Sequence, residues 1–325
     1  MKCLCKKKSN FKKKITDIRI GKYNFSIYKC TKCGIRRTYP ILTKKEIESF
    51  HDVGHYRDEE GKRFNIFIEY LVNFFNKKRA KRIMSFKSIG KILDIGAGKG
   101  LLLSILKEKG WKVLASEVNC KTADVIRNRF KLPVLEGDID KCKIKKNSFD
   151  VINMSHVLEH LKDPISVIKK CRFILKKEGF IFIAIPNNDS LQSKFGKKHW
   201  YHLCLPYHLY HLTEKNLLDL LKLNDFEIKY IKHFDGEMNI FGWAQTILNC
   251  LGIKRDFLFD ILAYRSFKNL RKSMNFFNFY SNLFFTFISL ILILPISFLF
   301  SILEAIIKKG GCIEVCAQLK KIVLM

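Results

Sequence analysis

Lys91-Ile92-Leu93-Asp94-Ile95-Gly96-Ala97-Gly98-Lys99-Gly100-Leu101-Leu102-Leu103 joins a short apolar run to a helical one through three glycines. Glycines at such a junction remove the Cβ atoms that keep a ligand off the backbone, and the carboxyl edge of a parallel sheet is where ligands approach. Working outward, strand-like and helical segments alternate: strand 112–117, helix 120–129, a short strand near 133–136, strand 149–155, helix 164–175, strand 179–185, helix 214–223 and strand 227–234. Asp163 and Thr213 supply N-caps and Pro164 a favoured first helical residue. Such alternation predicts an α/β fold, a parallel sheet with helices on both faces.

The turn is neither a dinucleotide fingerprint, whose third glycine would fall at Leu101, nor a phosphate loop, since no Gly-Lys-Ser/Thr follows. Glu117 closes the second strand, where a carboxylate accepts both hydroxyls of a ribose and repels a 2′-phosphate. Asp138, just after the third strand, is placed to meet an adenine amino group.

Asp94 to Gly100, Glu117, Gly137-Asp138 and Phe149-Asp150-Val151-Ile152-Asn153-Met154-Ser155-His156-Val157-Leu158-Glu159-His160-Leu161 together resemble motifs I to IV of the class I S-adenosylmethionine-dependent methyltransferases, of the type 11/12/23 kind. The resemblance covers about residues 88–234. It implies a Rossmann-like seven-stranded sheet whose last strand runs antiparallel, a slot that Cys312 to Leu319 fits. It also implies S-adenosylmethionine as cofactor, held by Asp94, Gly96, Ala97, Gly98, Gly100, Glu117, Val118, Asp138, Ile139, Ser155 and His156. Trp200 and Pro206-Tyr207-His208-Leu209-Tyr210-His211-Leu212-Thr213 resemble a subgroup that carries an N-terminal Cys-pair module and tailors small molecules, lipids or cell-surface glycans.

Methyl transfer from a sulfonium needs alignment, and a hydroxyl or amine acceptor must also lose a proton, for which His is suited near neutral pH. His199, His202, His208 and His211 crowd one loop and His156 and His160 follow the fourth strand. His208 is the candidate base, with His160 the second candidate. The two H-x-x-H pairs also have metal-ligand spacing, but no neighbouring acid in the sequence completes a site.

Two domains fit in 325 residues. The expected organisation is a module over 1–45, linker helices over 46–87, the methyltransferase domain over 88–235 plus 310–321, and a hydrophobic helical insertion over 236–309. In the module, Cys3, Cys5, Cys30 and Cys33 are arranged as two knuckles of a zinc ribbon, a structural site closed by four thiolates. Between Ser273 and Leu303 no residue is charged, and Pro295 alone interrupts the tract. If Cys312 to Leu319 closes the sheet, the chain must return to the side it left. The expectation is therefore a helical hairpin broken at Pro295, or two halves lying flat at an anionic membrane surface.

Sixty Lys and Arg against thirty Asp and Glu give a net charge of +30. That excess favours a phosphate-bearing partner, although a coding bias toward Lys, Asn, Ile and Phe produces the same excess. With 48% hydrophobic residues the chain is too apolar for intrinsic disorder. Eleven scattered cysteines and the lack of an apolar run behind the basic N-terminus suggest a reducing cytoplasm, at the inner membrane face. Two functions are expected from these features. One is methylation of a small-molecule, lipid-linked or glycan acceptor. The other is an RNA-directed methyltransferase or nucleic-acid-binding protein that grips phosphate with the basic residues of the ribbon.

Overall fold

The computed structural model of the protein describes residues 11–20, 22–43, 45–47, 66–263 and 270–321. Cys3 and Cys5 lie outside them. The central sheet has seven strands: β4 (Lys91–Ile95), β5 (Lys112–Glu117), β6 (Val134–Glu136), β7 (Phe149–Ser155), β8 (Leu175–Pro186), β10 (Phe226–Lys232) and β11 (Cys312–Leu319). Their spatial order is β10-β11-β8-β7-β4-β5-β6. The run from β6 to β8 is parallel, and β11 alone lies antiparallel to both neighbours, Ile313 opposite Ile185 and Val315 opposite Ile231. Strands buried on both faces need continuous apolar runs, and Ile181, Phe182, Ile183 and Ile185 of β8 are all buried.

Helices α2 (Leu101–Glu108), α3 (Cys120–Phe130), α4 (Pro164–Ile174) and α6 (Glu214–Lys222) make the crossovers. Asp163 caps α4 by accepting from the Ser166 amide at 3.0 Å, and Thr213 caps α6 in a reciprocal box with Asn216. Helix α1 (Ile66–Phe86), placed in the linker by its sequence, packs on the sheet. Ala80 and Ile83 are fully buried, the Phe86 ring lies 5.5 Å from that of Phe182, and Arg82 donates to Glu314 of β11 at 2.8 Å. The basic end of α1 is therefore spent on a buried carboxylate of the sheet.

At the N-terminus β1 (Phe11–Ile20) and β2 (Tyr23–Cys30) form a hairpin, followed by β3 (Arg36–Tyr39). These strands do not stand apart as a lobe. β3 pairs with β9 (Tyr210–His211), so the core domain supplies the fourth strand of the N-terminal sheet.

The remaining helices are α5 (Leu191–Gly196), α7 (Met238–Cys250), α8 (Phe257–Leu262) and α9 (Phe276–Ile306). The hairpin expected at Pro295 is absent, because α9 runs through it as one helix of 31 residues, about 46 Å long at 1.5 Å per residue. An interior proline costs a helix ~3 kcal/mol. Here Ile293, just before it, is buried with Ala244 and Leu248 of α7, and that packing continues the helix on both sides. The face of α9 turned to the protein carries Thr286, Ser297, Ser301 and Glu304 beside Phe279 and Ile293, whereas Phe284, Ile288, Ile291, Leu292 and Leu299 are exposed. This is the reverse of an ordinary surface helix.

Candidate functional site

Gly96, Gly98 and Gly100 all have φ between 57° and 77°, the left-handed region that favours glycine. A Cβ on Gly96 would lie 2.4 Å from Val157 Cγ2, so the turn is pressed against the loop that follows β7. The Gly96 amide donates to the Ser116 carbonyl at 2.8 Å and the Gly98 amide to Glu117 Oε2 at 3.2 Å. Glu117 Oε1 accepts from the Val118 amide at 3.0 Å and from the Asn119 amide at 3.3 Å. The glycine turn, Glu117 and Val118 thus form one hydrogen-bonded rim at the carboxyl edge. Asp138 lies on the same edge, paired with Lys141 at 2.6 Å, and Ile139 beside it is buried.

Asp94 is 4% exposed and accepts from Asn153 Nδ2 at 2.6 Å. Burial pushes its carboxyl up to about 7, against that hydrogen bond and the charge of Arg79. At the end of β7, Ser155 Oγ and His156 Nε2 are buried without a hydrogen bond among the described residues. A buried acid on β4 and unmatched polar atoms at the end of its neighbour β7 suit a ligand that is cationic and rich in hydrogen-bonding groups. S-adenosylmethionine has that character.

The histidines divide sharply. His202 and His211 are buried, each pushed down to about 3 by burial, and their rings face protein groups: the Met238 carbonyl at 3.3 Å and Thr38 Oγ1 at 2.9 Å. His199 lies in a separate 3-10 turn and is also lowered by burial. His208 is buried and held well below the usual histidine range by desolvation, then by His160 and His211. His160 is exposed, and it closes a single 3-10 turn, Leu158–His160. The His160 and His208 rings meet edge to face at 4.6 Å.

Sequence reasoning missed Glu159, which is 2% exposed between these rings. His156 Nδ1 lies 3.5 Å and His208 Nε2 3.9 Å from Glu159 Oε1. Burial opposes a charge on His156, but the adjacent carboxylate outweighs it and raises the pKa. Glu159 completes neither H-x-x-H pair; it gathers His208 of the second pair with His156 and His160. The acid stands next to His160 in the chain, and its inward turn depends on the 3-10 geometry. On the N-terminal side Gly34, at φ 74°, donates to the Cys30 carbonyl at 3.0 Å, and Phe11 is the cross-strand partner of Cys30.

A family profile described as a methyltransferase domain matches residues 61–231, just over half of the chain. A ubiquinone biosynthesis O-methyltransferase of Pelagibacter ubique is 27% identical over 238 residues, 59% of this chain and 98% of that protein. The enzyme of that name from Actinobacillus pleuropneumoniae serotype 7 is 30% identical over 107 residues, 30% of this chain. The chain thus spans nearly all of the first relative and 46% of the second. Among solved structures, an S-adenosylmethionine-dependent methyltransferase from Archaeoglobus fulgidus is similar at 20% identity and a TM-score of 0.47, over 76% of this chain and 94% of that one.

Proposed function

Because the chain belongs to the class I S-adenosylmethionine-dependent methyltransferases, we propose that it methylates a small-molecule, lipid-linked or glycan acceptor at the cytoplasmic face of a membrane. The observation that carries the reading is the position of the 199–211 loop. Its backbone is tied by the Leu209 amide to the Glu159 carbonyl at 2.9 Å, two residues beyond Val157, against which Gly96 of the glycine turn is pressed. The name of the Pelagibacter relative, an O-methyltransferase of ubiquinone biosynthesis, favours a small acceptor with an oxygen nucleophile.

Bound S-adenosylmethionine supplies the sulfonium methyl group for in-line displacement. Glu117 and Val118 would hold its nucleoside end, Asp138 and Ile139 its adenine, and the 94–100 turn, with Ser155 and His156, its amino-acid end. His208 keeps a lone pair on Nε2, because its Nδ1 lies 2.9 Å from the His202 carbonyl, which it faces as a donor. It is the group we assign to receive the acceptor's proton, with His160 closing the site toward solvent.

The four cysteines are read as one structural zinc site, supported by the Cys30–Gly34 turn and by the pairing of Phe11 with Cys30. Thiolate donors and spacing fit zinc. The role assigned to that site is to hold β3 against β9, and so to hold His208 in place. The membrane reading rests on the exposed apolar face of α9, the one helix among the described residues long and apolar enough to cross a membrane.

The test is transfer of radiolabelled methyl from S-adenosylmethionine by the full chain into cell extracts, fractionated into lipid, glycan, small-molecule and RNA pools. Label in one of the first three is expected. Label confined to RNA would replace this reading with the nucleic-acid one.

A further inference from the structure

β3 and β9 share two register pairs, Arg36 with His211 and Arg37 with Tyr210. The next residue of β3, Thr38, is 1% exposed and reaches further into the 199–211 loop. Its amide donates to the Leu209 carbonyl at 3.0 Å and its Oγ1 to the His208 carbonyl at 2.7 Å. The same Oγ1 lies 2.9 Å from His211 Nε2. A hydroxyl has one proton and a carbonyl can only accept, so that proton is committed to His208 and Oγ1 accepts from His211. Burial pushes His211 down to about 3, so the ring is neutral and its single proton sits on Nε2. By the same reasoning the His208 ring carries its proton on Nδ1, which donates to the His202 carbonyl at 2.9 Å. Donation therefore runs one way, from the His211 ring through the Thr38 hydroxyl to the His208 main chain.

We propose that Thr38 is a positioning residue for His208: its hydroxyl, supplied by the N-terminal sheet, fixes the main chain from which the His208 imidazole extends. The proposal rests on the assignment of His208 as proton acceptor made above. Two other bonds to His208, from its amide to the Cys204 carbonyl at 3.1 Å and from its ring to the His202 carbonyl, stay within the same loop and move with it. Thr38 ties the residue to a different sheet. Without the hydroxyl, the His208 carbonyl and the His211 Nε2 proton lose a shared partner in a buried place, and the segment must shift to satisfy them. A displacement of ~1 Å at a reacting centre costs up to about a hundredfold in rate.

Valine keeps the shape of threonine without the hydroxyl, and serine keeps the hydroxyl without the methyl. The test compares the full chain with Thr38→Val and Thr38→Ser, each labelled with 15N-histidine. Long-range proton–nitrogen spectra read which ring nitrogen carries the proton, and radiolabelled methyl transfer into the extract pool that takes label reads the rate. In the wild-type chain His208 is expected on the Nδ1–H form and His211 on the Nε2–H form. Thr38→Val should move the signals of both rings and lower transfer at least about tenfold, with S-adenosylmethionine affinity retained by calorimetry. Thr38→Ser should restore both.

A wild-type His211 protonated on Nδ1 breaks the chain of donors and overturns the proposal, whether or not the valine variant folds. Unchanged His208 signals and rate in folded Thr38→Val overturn it too, as does an equal loss in Thr38→Ser. Loss of S-adenosylmethionine affinity in step with the rate would show a general structural role and overturn it as well. Full transfer by His208→Gln would instead strike the assignment of His208 as proton acceptor, and the His208 ring signals in Thr38→Val then decide the positioning by themselves.

Discussion

Asp94 and Glu117 face opposite demands. Glu117 accepts three backbone amides and so shapes the rim as well as offering itself to a ribose. Glu117→Ala is expected to weaken S-adenosylmethionine binding by ~1.5–3 kcal/mol, the range for charge-assisted hydrogen bonds, and calorimetry reads it directly. Asp94 is buried at a cost to folding. Its carboxyl is raised to about 7 in the folded chain and is ordinary in the unfolded one, so from about pH 4 to about 7 the unfolded chain has lost a proton that the folded chain keeps. This group therefore lowers stability as pH rises through that window, and the loss is complete above it. Asp94→Asn should flatten that slope and raise the melting temperature at pH 8, while weakening affinity for the cationic cofactor. Melting curves from pH 5 to 8 with an unchanged slope would rule out Asp94 as the titrating group.

At the scale of elements, one carboxylate ties α9 to three other segments, in addition to the packing of Ile293 and Phe279. Glu304 accepts from the Gln192 amide at 2.8 Å, from Trp243 Nε1 at 3.0 Å and from the Gly311 amide at 3.1 Å. These bonds join α9 to α5, to α7 and to the turn that leads into β11. Glu304→Ala strands three buried donors, each costing about 1–3 kcal/mol when unsatisfied. A loss of ~3 kcal/mol or more in denaturant melts is expected, with Glu304→Gln milder because its carbonyl still accepts. Equal stability of all three proteins would show that the anchor is dispensable.

The whole molecule exposes an apolar stripe along α9 that is basic at both ends. Arg271 lies over the rings of Phe276, Phe279 and Tyr280 at 5.4–5.5 Å, and Lys272 and Lys308 are exposed. An antiparallel pair of copies would bring like charges together at each end, whereas anionic headgroups would match them. Full-length protein is expected to sediment with vesicles containing phosphatidylglycerol and much less with phosphatidylcholine alone, the binding falling as salt rises. Ile288→Glu with Leu292→Glu should abolish it. Protease sites placed at Lys272 and Lys309 should both be cut from the outer face of sealed vesicles, since β11 returns the chain to the sheet; sites on opposite faces would remove the flat arrangement. Self-association without lipid would identify a second copy as the cover instead.

Local rules were enough for much of this molecule. Caps at Asp163 and Thr213, glycines at positive φ and apolar runs of strand length depend on neighbours in sequence, so the sheet, its carboxyl edge and the acids along that edge were legible from the chain alone. The closing strand at Cys312 to Leu319 was legible too, through the family resemblance. Other features depend on contacts between residues far apart in the chain, which no periodicity encodes. Arg82 meets Glu314, and β3 finds its partner in β9. Glu159 reads as one more acid before a histidine until the 3-10 turn rotates it inward and a loop from residue 208 closes over it. Pro295 reads as a helix breaker because the sequence shows the lost hydrogen bond and not the surface of α7 that carries the helix past it. Tertiary packing decided these points because a single buried contact outweighs the fraction of a kcal/mol per residue by which local propensity usually discriminates.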